Sequence, residues 1–454
     1  MVRGAANTSQ TSGMPVTSVS GRWAGLGRDA ALAVAVDSIE LWSVELPFVD
    51  PVATAKGVHR HRPLVLVHLL GHAEGAPSTR AGGGAATARP VEGWGECAAL
   101  ADSTFDDEDV TLCLEVLHRH LVPALIDRMA SGRSSLPGPS DLDDVRRAAP
   151  GSPLAFAALE MAVADAHLRA GQRSLAGLLG VEGRLVEPGA VVGTAPTVAE
   201  LLVAVGRLVD QGYSRVKVKI APGWDVEPVS ALAEAFPDLR LQVDANGSYR
   251  PGDGPGAADA TRLVELDRFG LLCIEQPFDR VDLGAHARLA ARMSTPICLD
   301  ESLDSPERVE KALAMGACSV VCVKPARLGG LGAALSVIER CRRSGVPLWM
   351  GGMFESGYAR GVNLTLGALE GMAWPGDLSP SRSYLGADLV PDPSQAPPDP
   401  SQAPPDPGTA RHGSRPVPAC ALPRGPGMGP PPDPGALARY GTLRHVLEAR
   451  PGSI

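Results

Sequence analysis

The sequence predicts an α/β protein in which a barrel of parallel strands follows a smaller α+β unit. Between about residues 190 and 352, short apolar runs alternate with amphipathic segments, as in parallel βα units. Seven or eight such units in succession most simply close into a barrel. An open doubly wound sheet is the alternative, but no GxGxxG motif follows the first strand to favour it.

Length and composition narrow the class of protein. At 454 residues with 44% hydrophobic residues, the chain can form two domains or one large barrel with additions. A net charge of −9 argues against a nucleic-acid partner. No apolar run reaches the roughly 18 residues that span a membrane, and the N-terminal residues lack the apolar core of a signal peptide. The eight cysteines form no regular framework, which is typical of a reducing compartment. We therefore expect a cytoplasmic protein without a membrane partner.

The N-terminal part is expected to contain an extension and then the α+β unit. Residues 1–28 are Gly/Ser/Thr-rich, residues 1–35 are predicted to be a disordered extension, and residues 36–150 are assigned to the α+β unit. Its predicted strands are 39–46, 62–70 and 92–97. Helical periodicity extends over 107–130. The Gly/Ala-rich residues 71–90 are expected to form a flexible loop between the second and third strands.

The barrel is assigned to residues 151–388. It begins with an Ala-rich helix over 153–179, after which the apolar runs recur. The predicted strands are 190–194, 216–221, 241–246, 271–277, 296–302, 319–325 and 347–352. Residues 389–435 are a Pro-rich, low-complexity insertion to which no structure is assigned. Residues 436–454 regain helical character to about residue 450 and are expected to pack back on the α+β unit.

Charged residues end five successive predicted strands of the barrel. They are Lys219, Asp244, Glu275, Asp300 and Lys324. Because the C-terminal ends of barrel strands lie on one rim, these side chains are expected to converge there. A lone Asp at a strand end is usually a helix cap or a turn residue, but three converging carboxylates would repel one another without a cation. Hard oxygen ligands suit Mg²⁺ or another divalent cation such as Mn²⁺.

Lysine is rare in this chain, so its positions are informative. Only five of the 42 basic residues are lysines, and two of them, Lys217 and Lys219, lie on one face of a single predicted strand. That face could simply be solvated. Near a metal ion, however, positive charge would lower a lysine pKa toward neutrality and make the lysine a usable base. Lys219 and Lys324 would approach opposite faces of a bound carboxylate. Lys217 would lie deeper in the barrel, where its charge could help to neutralise an enediolate.

This set of residues resembles the enolase superfamily, in its muconate-lactonizing-enzyme-like branch. The resemblance covers about residues 38–390 and a returning segment near 417–447. Within that branch, residues 351–357 (GGMFESG), 322–330 (CVKPARLGG) and 376–379 (GDLS) look like segments of o-succinylbenzoate synthases and the related N-acylamino acid racemases. The sequence has no histidine between positions 286 and 412, which disfavours branches whose second base is a late histidine.

The resemblance implies a (β/α)7β TIM-like barrel with an α+β capping domain, and a hydro-lyase activity on a small-molecule carboxylate. It implies Asp244, Glu275 and Asp300 as Mg²⁺ ligands. Lys219 would abstract the proton α to the substrate carboxylate and then protonate the departing hydroxide on the same face. Lys324 would stay protonated and stabilise the intermediate. The implied reaction is the syn dehydration of 2-succinyl-6-hydroxy-2,4-cyclohexadiene-1-carboxylate to 2-succinylbenzoate in menaquinone biosynthesis. A homo-oligomer is also expected.

Further residues are candidates for contact with the substrate. They are Thr54, Asn246, Met353, Glu355 and Ser356. The resemblance matches the loop around residues 53–57 with the capping loop that closes over substrate. The last three candidates follow the seventh predicted barrel strand, where an ordinary glycine-rich turn is the alternative interpretation. Asn246 and Glu301 are expected mainly behind the metal ligands.

Other functions stay open at this point. Racemisation of N-acylamino acids would use Lys219 and Lys324 as bases on the two faces of the α-carbon, and the same site could serve both reactions. Arg327 could favour this use by lowering the pKa of Lys324. A Schiff-base aldolase would also place a lysine at a barrel rim but leaves the carboxylates unexplained. A non-catalytic binding protein predicts the loss of at least one member of the set, and none is missing.

Overall fold

The computed structural model describes most of the chain. The described residues are 18–28, 32–54, 57–73, 88–131, 135–252, 258–391 and 418–449. They form an antiparallel sheet with its helices and a curved sheet of seven parallel strands. This arrangement confirms the predicted α/β class. No helix among these residues is long and apolar enough to cross a membrane.

The antiparallel sheet has four strands. They are β1 (Val34–Thr54), β2 (Gly57–Ala73), β3 (Arg89–Cys97) and β13 (Gly441–Glu448), in the order β13-β1-β2-β3. The sheet packs on the Ala-rich helix α5 (Pro153–Ala170). At Gly95 of β3, a Cβ atom would lie only 1.9 Å from the carbonyl oxygen of Ala158. The glycines of β3 and the alanines of α5 therefore have the same explanation: only small residues allow the two backbones to approach this closely.

Smaller helices surround this sheet. They are α1 (Val19–Ala24), α2 (Val110–Val116), α3 (Val122–Ser131) and α4 (Asp143–Arg147), with a π-helical turn at Leu117–Leu121 and a 3₁₀ turn at Pro139–Asp141. The prediction of a disordered N-terminus is wrong for α1. The Ser18 hydroxyl accepts a hydrogen bond from the Gly21 N–H and caps this helix, and Trp23 is buried with only 2% exposure. A single buried aromatic side chain is enough to dock a short helix that has no periodic pattern.

Each of the seven predicted barrel strands contains one strand of the parallel sheet. The strands are β5 (Ala190–Val192), β6 (Arg215–Lys219), β7 (Arg240–Asp244), β8 (Ile274–Glu275), β9 (Ile297–Leu299), β10 (Val320–Val323) and β11 (Leu348–Met350), adjacent in chain order. The helices are α6 (Leu175–Leu179), α7 (Val198–Asp210), α8 (Val226–Ala235), α9 (Ala258–Glu265), α10 (Leu283–Ala290), α11 (Pro306–Ala314), α12 (Leu331–Ser344) and α13 (Gly357–Gly367), with 3₁₀ turns at Leu266–Phe269 and Ser381–Ser383. Apolar side chains between strands and helices form the largest of the three apolar clusters among the described residues.

Residues 372–377 close the barrel. The Asp377 N–H donates to the carbonyl oxygen of Met350 in β11 at 2.8 Å. On the other side, the Gly189 N–H donates to the carbonyl oxygen of Gly376 at 2.7 Å, next to β5. This segment has only three apolar residues, 372–374, before Pro375 and Gly376, so the periodicity of the sequence did not indicate it. It nevertheless brings Asp377 into the barrel interior.

The C-terminal part differs from the prediction. The predicted helix ends early, because α14 (Pro434–Tyr440) gives way to β13, which pairs with β1. Of the insertion at 389–435, the described residues 418–433 contain β12 (Cys420–Ala421), which pairs with β4 (Leu185–Val186). Cys420 and Met428 are buried there, so the absence of assigned structure was wrong for this stretch. The other domain boundaries stay predictions.

Candidate active site

Five charged residues stand at one end of five adjacent barrel strands. Lys219, Asp244 and Glu275 are the last residues of β6, β7 and β8. Asp300 and Lys324 directly follow β9 and β10. Because these strands are neighbours in chain order, the three carboxylate strands lie between the two lysine strands. The structure thus brings together the five residues that the sequence placed on the rim.

Lys217 lies beneath the rim and contacts three carboxylates. Its Nζ is 2.5 Å from Asp377 Oδ2, 2.9 Å from Glu275 Oε2 and 3.4 Å from Asp244 Oδ2. Burial lowers the pKa of Lys217, but the charges of Asp377 and Glu275 outweigh burial and hold the pKa well above its ordinary value. Lys217 is therefore a fixed cation that neutralises the carboxylates of the protein itself.

Lys219 is the most accessible of the three lysines in the barrel. Its side chain is 32% exposed, compared with 12% for Lys324 and 4% for Lys217. Its Nζ donates to Asp244 Oδ2 and to Asn246 Oδ1, both at 2.7 Å. Asn246 in turn donates through Nδ2 to Glu301 Oε1 at 2.8 Å. A molecule that enters from the open side of the barrel can therefore reach an amine that two rim residues hold in place.

Lys324 is enclosed and tied to Asp300. Its Nζ is 2.7 Å from Asp300 Oδ2, and Arg327 forms a second ion pair with the same carboxylate. Arg327 Nε also lies 2.7 Å from Asp106 Oδ1. Burial lowers the pKa of Lys324, but Asp300 outweighs both burial and Arg327 and raises the pKa above its ordinary value. Arg327 thus lowers the pKa of Lys324, as expected, but Asp300 has the larger effect and sets the net direction.

The surroundings of the rim carboxylates shift their pKa values strongly. Burial, followed by the charge of Asp244, raises the pKa of Glu275 to about 8. Burial also disfavours ionisation of Asp300, but Arg327 and Lys324 outweigh it and lower that pKa to about 2. The repulsion that Asp244 and Asp300 exert on Glu275 fits a divalent cation, which would relieve it. One oxygen of Glu275, one of Asp300 and the thiol of Cys322 lie within 4.8 Å of one another; Asp244 is outside that group.

The predicted substrate contacts on the barrel lie in the loop after β11. Met353, Glu355 and Ser356 are all buried. The Ser356 N–H and hydroxyl donate to Glu96 of β3, and Glu355 Oε1 accepts from the Met353 N–H at 2.8 Å. Their polar groups already have partners within the protein, so their contact with substrate stays a prediction. The side chain of Thr54 lies outside the described residues.

Three residues of the site were missed from the sequence. They are Asp377 beside Lys217, Asp106 beside Arg327, and Arg62, which binds the loop after β11. Only Asp377 carried a usable signal, because it lies in the run 376–379 that supported the resemblance. Nothing local distinguished the other two from surface charges. Asp106 and Arg62 belong to the N-terminal unit, so their roles depend on how that unit docks on the barrel.

Comparisons with known proteins agree with this geometry. Residues 200–414 match the family model described as enolase C-terminal domain-like. The chain is 40% identical to an N-succinylamino acid racemase from Amycolatopsis over 359 residues, which are 78% of this chain and 89% of that protein. It is 36% identical to an o-succinylbenzoate synthase from Geobacillus kaustophilus, over 79% of this chain and 88% of that protein.

Solved structures of enolase superfamily members resemble this chain. An enolase superfamily member from Listeria innocua superposes with a TM-score of 0.76 at 29% identity, covering 92% of this chain and 100% of that one. The muconate lactonizing enzyme of Pseudomonas putida, at 22% identity and a TM-score of 0.68, shares the fold. The predicted barrel with a capping domain is thereby confirmed, and the aldolase and binding-protein alternatives gain no support. The chain belongs to the enolase superfamily, among relatives that include o-succinylbenzoate synthases and N-succinylamino acid racemases, and it is an enzyme of that superfamily.

Proposed function

We propose that this enzyme is an o-succinylbenzoate synthase, which dehydrates 2-succinyl-6-hydroxy-2,4-cyclohexadiene-1-carboxylate to 2-succinylbenzoate. The observation that carries the proposal is the inequality of the two rim lysines. Lys219 is accessible, whereas Lys324 is enclosed and paired with Asp300. A syn dehydration needs one lysine that moves protons and one that keeps its charge. A menaquinone pathway, the user of this product, is part of the proposal.

Lys219 is proposed to act as both base and acid. As a free amine it takes the proton from the carbon next to the substrate carboxylate, while Asn246 and Asp244 hold its nitrogen in place. As an ammonium it then returns that proton to the departing hydroxyl group, which leaves as water on the same face. Removal of this one residue is expected to cost at least about 10³-fold in rate, in the range typical of a general base.

Lys324 is proposed to remain protonated throughout. Asp300 keeps the pKa of Lys324 above the ordinary value despite burial. The Lys324 ammonium can therefore face the negative charge that develops on the substrate carboxylate. Lys217, beneath the rim, neutralises part of the charge of Asp244, Glu275 and Asp377. Asp244, Glu275 and Asp300 would hold Mg²⁺ or Mn²⁺. When bound, that cation supplies further positive charge for the substrate carboxylate.

Purified enzyme assayed with both substrate classes tests the proposal. We expect dehydration to have the larger kcat/KM, and Lys219→Ala to abolish it. Lys311→Ala, on an exposed position of α11, is the matched control and should retain full rate. Faster racemisation of N-succinylamino acids with negligible dehydration would overturn the assignment, as would normal dehydration by Lys219→Ala.

N-succinylamino acid racemisation is the second candidate. It is favoured by the lysine strands on both sides of the carboxylate strands and by Arg327, which opposes the effect of Asp300 on Lys324. In this reaction each lysine exchanges the α-proton of one enantiomer. In D₂O, Lys219→Ala and Lys324→Ala should then each lose exchange with a different enantiomer. Loss of exchange with both enantiomers in Lys219→Ala alone would exclude a two-base racemase.

A further inference from the structure

A cysteine thiol lies beside two of the rim carboxylates. Cys322 is in β10, whose parallel register with β9 pairs Val321 with Leu299. The next step along both strands therefore places Cys322 level with Asp300. The thiol sulfur, one oxygen of Asp300 and one oxygen of Glu275 lie within 4.8 Å of one another, and all three residues are buried.

The local packing orients this thiol into the barrel. A Cβ atom at Gly351, on the neighbouring strand end, would lie 2.6 Å from Cys322 Sγ and 2.7 Å from Lys324 Cε. Only glycine therefore leaves room for both side chains. Among the described residues, no hydrogen-bond partner is found for the Cys322 thiol. Next to Asp300, Glu301 has a buried carboxylate oxygen, Oε2, that likewise accepts no hydrogen bond from the described part of the chain.

We propose that Glu275, Asp300 and Cys322 form a mixed oxygen–sulfur site that takes a thiophilic divalent cation such as Cd²⁺, Co²⁺ or Zn²⁺. Thiolate sulfur selects such cations, whereas Mg²⁺ and Mn²⁺ prefer oxygen ligands. On binding, the S–H bond breaks, the proton leaves to solvent, and the sulfur donates its electron pair to the cation. Because the site shares two carboxylates with the proposed oxygen site, thiophilic cations compete there with Mg²⁺. The proposal holds for either reaction of the enzyme.

Cadmium titration of the metal-free, full-length enzyme tests the site directly. We expect a thiolate-to-cadmium charge-transfer band in the ultraviolet that saturates at one cation per chain, and none with Mg²⁺. Cys322→Ser should lose the band and bind Cd²⁺ at least about tenfold more weakly. Cys298→Ser is the matched control, because Cys298 is equally buried on the adjacent strand but outside the group of three. It should keep the band.

Three results would overturn the proposal. They are a wild type without the band, a band that persists in Cys322→Ser, and a band that disappears equally in Cys298→Ser. If Cys322→Ser does not fold, X-ray absorption on the cadmium-loaded wild type replaces it, with one sulfur neighbour expected and an all-oxygen shell contradicting the site. Mn²⁺ binding, followed by electron paramagnetic resonance, should survive in Cys322→Ser. That measurement separates a failure of the thiol site from a failure of the oxygen ligands.

Discussion

Replacing Arg62 with methionine tests how the antiparallel sheet holds the loop after β11. The Arg62 side chain is 1% exposed, and its guanidinium donates to five backbone carbonyl groups. Two of them, at Phe354 (3.0 Å) and Met353 (3.1 Å), belong to the loop. Phe354 has a φ of +55°, a left-handed conformation that bulky residues adopt at a cost. The guanidinium therefore stabilises a strained loop from outside the barrel.

The cost of the substitution follows from these contacts. Arg62→Met removes the donor from five carbonyl groups, three of which accept fully buried hydrogen bonds, at about 1 kcal/mol or more for each buried one. Removing a buried cation recovers part of that loss, because its desolvation is no longer needed. We expect the free energy of unfolding to fall by about 3 kcal/mol. Arg62→Lys should fall between the two proteins, since an ammonium group has only three donors.

Urea unfolding followed by tryptophan fluorescence measures this loss. Hydrogen exchange of residues 351–357 should accelerate at the same time, because the loop loses two of its anchors. The control is Arg60→Met on the same strand, where the side chain is exposed and the change should stay within about 0.5 kcal/mol. An Arg62→Met protein within about 1 kcal/mol of wild type, with unchanged exchange in the loop, would refute this reasoning.

Three further predictions concern other contacts. Gly330→Ala should lower the free energy of unfolding by at least about 2 kcal/mol, because φ is +116° and a Cβ atom would lie 2.2 Å from Glu160 Oε2. The control is Gly316→Ala, where φ is +65° but a Cβ atom would meet no atom within 4 Å. It should cost about 1 kcal/mol in the same urea assay. Burial raises the pKa of Glu96 from 4.5 to about 7, so the folded state holds this proton to higher pH than the unfolded state. Its stabilisation is complete below pH 4.5 and is lost as pH rises through 7. Relative to Glu96→Gln, the wild type should therefore lose about 3 kcal/mol across that range, and a constant difference would contradict the assignment. Lys217→Met should destabilise the metal-free enzyme by about 3–5 kcal/mol, because it leaves buried carboxylates without their cation; a melting temperature unchanged in EDTA would speak against that role.

The barrel strands could be predicted because each is a short apolar run, and five of the seven end at or directly before a charged residue. The segment 372–377 could not, because its backbone position is fixed by its two neighbours rather than by its own pattern. The strand β13 was predicted as helix for a related reason. In a short stretch the apolar spacing suits either structure, and the free pairing edge of β1 decides the outcome. Helix α1 depends on a single buried side chain, Trp23.

The residues of the site likewise divide into those that the sequence could predict and those that it could not. The positions of Lys219 and the rim carboxylates follow from strand ends, which are local features of the sequence. Their partners do not, because Asp106, Asp377 and Arg62 reach the site through contacts between distant parts of the chain. The net pKa shift of Lys324 also depends on the folded structure. Arg327 lowers this pKa, as the sequence suggested, but Asp300 raises it more.

The closing segment also bears on how the chain folds during synthesis. Asp377 pairs with Arg215, from which it is separated by 162 residues, and with Lys217 beside it. At about 5–20 residues per second, a ribosome needs roughly 8–30 s to deliver the acid after the two cations have emerged. Until then Arg215 lacks its carboxylate partner, and Lys217 lacks one of its three. The final strand of the antiparallel sheet arrives later still. We expect nascent chains to stay open until β13 has emerged, with slow refolding set by these long-range closures.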